Sequence, residues 1–117
     1  MNSQNPVNWK LINKQIESAL SSYDKVMLHI RLSADFGYTN SIFFDSSKKQ
    51  EILHALVPFN SKNHSIEEAC LLAINSNKAI IKSYTNAKIL EVIEIHQMSE
   101  KGYSKGVIHN FRTVNFP

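Results

Sequence analysis

The side chains best equipped for chemistry in this chain are its five histidines, His29, His54, His64, His96 and His109. They show no HxH, HExxH or Cys/His spacing, so no local metal motif is present and any site has to be assembled in space. One such assembly is suggested by the C-terminal residues. If the chain there forms a hairpin paired symmetrically about Ser99 to Gly106, His96 falls opposite His109, with Glu94 two residues away on the same face. Two imidazoles and a carboxylate suit a transition metal or an acid/base pair. The grouping depends on register, because a slip of one residue turns every side chain of a strand to the other face. A solvated or packed histidine pair is the plainer reading of the same residues.

A second grouping is cationic. His29 and Arg31 on an early strand, with Asn110 and Arg112 on a late one, would form a polar patch able to hold a small anionic ligand. The alternative is an ordinary solvent-facing strand surface. Other chemistries find little support. Three scattered glycines cannot build a phosphate-cradling loop, and no nucleophile elbow surrounds a serine. Asp24, Asp35 and Asp45 are explained by turn and cap roles. Phe36, Tyr38 and Phe43 lack the glycine-aromatic signature of a sheet that stacks RNA bases. No cofactor is expected.

Composition narrows the class further. At 117 residues, 43% hydrophobic and 20% charged, the sequence reads as one globular domain, 1–117, with Met1 to Pro6 as a flexible leader. The net charge of +3 invites a nucleic-acid reading, but Arg31 and Arg112 are the only arginines among thirteen basic residues. Arginine is the preferred partner of phosphate and guanine, so nucleic acid is the weaker partner class. Abundant Lys, Asn, Ile and Ser are also what an AT-rich genome encodes, which suits a bacterial or mobile-element source. Cys70 stands alone and falls on an apolar stripe, the setting of a small buried side chain. No signal-like leader and no apolar run long enough to cross a bilayer is present, so a soluble, cytoplasmic protein without a membrane partner is expected.

The elements that must position these residues follow from periodicity and caps. Asn8 is a good N-cap, Val7 and Ile12 have hydrophobic-staple spacing, and Trp9, Ile12, Ile16, Ala19, Leu20 and Tyr23 trace one helical face. Lys25 to Ser33 alternates strictly, Val26, Leu28, Ile30 and Leu32 against Met27, His29 and Arg31, and predicts a half-buried strand. Ala34 to Asn40 has turn chemistry and leads to a short strand, Ser41 to Asp45. Ser47 and Gln50 are spaced to cap a brief helix carrying Ile52, Leu53 and Leu56, stopped by Pro58.

Ser65 and Glu68 form a capping-box pattern at the start of the longest helical segment, Ser65 to Tyr84. A continuous helix is the preferred reading there; the alternative ends it at Asn75-Ser76-Asn77 and makes Lys78 to Tyr84 a strand. Ala87 to Met98 is dense in β-branched residues and apolar on both faces, Ile89, Ile93 and Ile95 on one and Leu90 and Val92 on the other. Val107 to Phe116 completes the set.

The expected fold is α+β: an antiparallel four-stranded sheet of two hairpins with helices packed mainly on one face, in the order α-β-β-α-α-β-β. A doubly apolar strand would leave one sheet face in need of cover, which predicts a homodimer or higher homo-oligomer. The functional expectation is a small, non-enzymatic binding or accessory protein, an antagonist or sequestering module acting through a sheet face or an oligomer cleft on a protein or small anionic ligand. Its rivals are a nucleic-acid binder and a histidine acid/base or metal-assisted enzyme.

Overall fold

A computed structural model describes residues 7–38, 49–59, 65–76 and 82–112. Helix α1 (Trp9–Leu20) is followed by β1 (Val26–Tyr38), β2 (Lys49–Pro58), α2 (Ile66–Asn75), β3 (Lys82–Met98) and β4 (Ser104–Asn110). The strands form one antiparallel sheet in the order β2-β1-β3-β4. The fold is therefore α+β, as composition and pattern predict.

Both helices start where their caps place them. The Asn8 side chain accepts from the Leu11 N–H and the Ser65 hydroxyl from the Glu68 N–H, each satisfying a donor the first helical turn leaves free. Ile12, Ile16 and Ala19 of α1 and Cys70 of α2 join Leu28, Ile30 and Leu32 of β1 in one core, so both helices cover the same sheet face. Burial pushes the Cys70 thiol up to about 11, with Glu67 adding to the effect, and leaves it an inert core side chain.

Four expectations are corrected. The segment read as a brief helix carrying Ile52, Leu53 and Leu56 is strand β2. Its burial alternates, Leu53, Ala55 and Val57 inward against Ile52, His54 and Leu56 outward, and Pro58 ends an edge strand, where a missing N–H is tolerated. Second, β1 does not turn at Ala34; it runs on to Tyr38, with Phe36 against the Tyr84 ring and Asp35 accepting from the Asn86 amide. Third, α2 ends at Asn75 rather than continuing to Tyr84, and the chain is already β3 by Lys82. Fourth, the final strand lies at Ser104–Asn110, earlier than expected. The leader Met1 to Pro6, the expected strand Ser41 to Asp45 and the stretch Lys78 to Ile81 lie outside the described residues.

The early end of α2 has a physical counterpart in β3. Strand β4 pairs with Glu94 to Met98, so among the described residues the outer edge of β3 near its start has no strand beside it. At Tyr84 the Asn75 side chain takes that place, its Oδ1 accepting from the Tyr84 N–H at 2.8 Å and its Nδ2 donating to the Tyr84 carbonyl at 3.0 Å. A side-chain amide thus supplies both bonds a neighbouring strand would make.

Strand β3 also departs from regular pairing with β1, which shifts register three times. Asn86 adopts φ 54° at one of these irregularities, a left-handed conformation that Asn tolerates better than most residues. The other two leave Leu90 and Ile93 as extra residues: Arg31 pairs with Glu91 and Leu32 with Ile89, while His29 pairs with Glu94 and Ile30 with Val92. Ile89, Val92 and Ile95 consequently all face the helices and lie in the core. The bulges thus turn three of the strand's apolar residues to the helix side, while Ile93, 5% exposed, and the half-buried Leu90 stay outside that core.

Replacing Asn75 with Ala strands the Tyr84 N–H and C=O and is expected to lower unfolding stability by about 1–3 kcal/mol. Hydrogen exchange at the Tyr84 amide should quicken more than at Ile30. Unchanged exchange at Tyr84 would show that the amide clamp contributes nothing.

Candidate functional site

The sheet face turned away from the helices is polar at its centre. Three strand positions with one alternation, His29 on β1 and Glu94 and His96 on β3, place their side chains there, and the bulge at Ile93 sets Glu94 directly across from His29. The bulge at Leu90 does the same for Glu91 and Arg31. Under uninterrupted alternation Glu91 and Glu94 would lie on opposite faces; with the bulges they share one.

These groups form a continuous row. His29 Nδ1 and His96 Nε2 both meet the same carboxylate oxygen, Glu94 Oε1, at 3.0 and 2.9 Å. Beyond them, His29 Nε2 lies 2.9 Å from His54 Nδ1 on β2, and His96 Nδ1 lies 2.7 Å from the Ser104 hydroxyl on β4. The row His54–His29–Glu94–His96–Ser104 therefore takes a side chain from every strand of the sheet. Its inner members are shielded, with 28% of the His29, 20% of the Glu94 and 14% of the His96 side chain accessible. The two imidazole contacts, that of His29 first, hold the Glu94 carboxyl below its ordinary range, so it stands ionised as the acceptor of both.

Beside the row lies an ion cluster. Glu91 accepts from Arg31 Nε at 3.2 Å and from Arg112 Nε at 2.7 Å, with a further bond from the Arg112 terminal nitrogen. Asn110 Oδ1 accepts from the Arg112 N–H at 2.7 Å, a local turn just beyond β4 at the point where Arg112 reaches back to Glu91. The Glu91 carboxyl is pulled down to about 2, chiefly by the Arg112 contact and further by Arg31.

The structure thus regroups the residues singled out by sequence. His29, expected in an anion-binding patch, joins Glu94 and His96, expected in a metal or acid/base group. These three each offer a ligand atom within 4.8 Å of the others. Arg31 and Arg112 meet on Glu91, which stands between the guanidiniums, and Asn110 joins through the Arg112 N–H. His109 does not join. The β3–β4 ladder shifts register so that His109 pairs with Ile95 and Val107 with His96, and the His109 ring packs edge-on against Phe111 at 4.6 Å. The symmetric hairpin that would have set His96 against His109 is corrected by this shift. His54 and Glu91 are site residues the sequence reading missed. The alternation Leu53, Ala55, Val57 was the available signal for His54; nothing local marked Glu91.

An apolar hollow of about 340 Å³ lies between α2 and β2, lined by Leu28, Val57, Phe59, Ile66 and Ala69 among others. Its lining offers no charged or hydrogen-bonding side chain to orient a ligand, which a specific site ordinarily has. Comparison with known protein families, with curated proteins and with solved structures finds no significant match. No helix among the described residues is long and apolar enough to cross a membrane.

The arginine pairing has a pH signature. Its contribution to stability is fully present above Glu91's ordinary value of 4.5 and is lost as the pH falls toward about 2. Unfolding titrations of wild type and Glu91→Gln should therefore differ at pH 7 and converge on acidification to pH 2. A gap that persists at pH 2 would show that the variant acts by another route.

Proposed function

We propose that this chain is a small binding protein that works through the open face of its sheet, at the row His54–His29–Glu94–His96–Ser104 and the adjoining Arg31–Glu91–Arg112 cluster. The observation that supports this reading is the row itself: five polar side chains drawn from all four strands converge at the centre of one face, while Ile89, Val92 and Ile95 of β3 turn to the other. A sheet surface has no walls to exclude water, the condition under which acid/base groups and fixed dipoles accelerate reactions most, so binding is favoured over catalysis. Both arginines are engaged by Glu91, which lowers the case for a phosphate-led nucleic-acid surface.

Self-association is part of this proposal, on the sheet face turned away from the helices and through edge strand β2. Ile52 and Leu56 on edge strand β2 are 58% and 37% exposed, on the same face as His54. A second copy of the chain is the simplest cover for them.

Native mass spectrometry of untagged protein, purified gently from a bacterial lysate, tests both statements. The wild-type chain should carry a discrete extra mass that the double variant Glu94→Gln/Arg112→Ala loses while its circular dichroism is unchanged. An empty wild-type chain, or a mass retained equally by the variant, contradicts the open-face reading. A purely monomeric mass at micromolar concentration contradicts self-association.

A further inference from the structure

We infer that His29, Glu94 and His96 form a site for one divalent first-row transition-metal ion, with zinc as the reference. The inference rests on the open-face reading above and names a ligand for it. Two imidazole nitrogens and a carboxylate oxygen are the donor set of zinc, iron(II), cobalt(II) or nickel(II) rather than of calcium or magnesium, which prefer oxygen alone.

The spacing is that of a ligand set. His29 Nδ1 and His96 Nε2 both aim at Glu94 Oε1, at 3.0 and 2.9 Å. Adjacent donors of a tetrahedral zinc ion with bonds of about 2.0–2.1 Å stand about 3.3 Å apart, so small side-chain rotations would admit the ion between them. Because β1 and β3 are the two central strands and the bulge at Ile93 fixes their local register, the three donors are held with little ordering left to do on binding. Three protein ligands on an open face leave further positions for water or for a donor from a partner.

The outer contacts supply what a ligating histidine needs. A metal-bound imidazole ordinarily donates its other N–H to a fixed acceptor. Here that acceptor is His54 Nδ1 for His29 and the Ser104 hydroxyl for His96, at 2.9 and 2.7 Å. Without metal, the Nδ1–H tautomer of His29 and the Nε2–H tautomer of His96 donate to Glu94, and His54 and Ser104 donate to them. With metal, both outer bonds reverse: His29 Nε2–H donates to His54, and His96 Nδ1–H donates to Ser104. A neutral imidazole and a hydroxyl can each act in either direction, so neither state orphans a polar group. An outer lysine or arginine, which can only donate, would have blocked this.

The test uses the untagged full chain stripped with a chelator and titrated with zinc chloride by calorimetry. One equivalent per chain is expected. Each of His29→Gln, Glu94→Gln and His96→Gln should weaken uptake at least about tenfold and His54→Gln by a comparable factor, the usual cost of a lost ligand or outer contact; His109→Gln should leave it unchanged. Because a variant can fail for want of folding, a second readout uses the wild type alone: substoichiometric cobalt(II) or nickel(II) should broaden the imidazole NMR signals of His29, His54 and His96 before those of the other histidines. No saturable zinc uptake, uptake indifferent to Glu94→Gln, or broadening centred on another histidine overturns the assignment. Absent zinc uptake with an organic mass still retained at the open face overturns the metal alone and leaves the broader reading standing.

Discussion

Two extra residues in one strand, Leu90 and Ile93, determine what each face of this sheet is made of. A regular strand from Ile89 to His96 would scatter its isoleucines and valine over both faces and separate Glu91 from Glu94. With the bulges, Ile89, Val92 and Ile95 recur every third residue on the helix side, and Glu91 and Glu94 do so on the other, across from Arg31 and His29. Bulges interrupt the ladder and are favoured where a side chain has to be re-aimed. The same two bulges thus turn Ile89, Val92 and Ile95 into the core and assemble the polar face.

The two faces support one another energetically. Leu28, Ile30 and Leu32 are fully buried between β1's neighbours and the helices, and they flank the outward-pointing His29 and Arg31 in sequence. The packing that holds them fixes the backbone from which the polar row projects. The row in turn is satisfied bond by bond: among the described residues no buried side-chain nitrogen or oxygen lacks a partner. A half-satisfied network would cost more than an apolar surface. Here a single ionised oxygen, Glu94 Oε1, organises two imidazoles, and each imidazole finds its second partner on an edge strand.

The local signals in the sequence were legible and the non-local ones were not. Asn8 and Ser65 mark helix starts because a cap acts within one turn. The alternation Val26, Leu28, Ile30, Leu32 marks β1 because burial on one face has period two. By contrast, Ile52, Leu53 and Leu56 fit helical spacing as well as Leu53, Ala55 and Val57 fit a strand, and only pairing with β1 decides between them. The end of α2 turns on Asn75 reaching a backbone that lies in another element, Tyr84. Bulge positions are set by the match between two strands, so neither Glu91 nor the separation of His109 from His96 was written in either strand alone. The site residues were visible as types, and their grouping emerged only with register.

The proposed metal site requires the His29–Glu94–His96 row to be an ordered unit whose protons can reverse to admit a metal. Long-range nitrogen–proton NMR spectra of the histidine side chains, recorded on metal-free protein at pH 8 and again with one equivalent of zinc, test it directly. His29 is expected in its Nδ1–H and His96 in its Nε2–H form before zinc, each exchanging to the opposite tautomer afterwards. Imidazoles that average freely between tautomers in the metal-free chain, or tautomers unchanged by zinc, would contradict it.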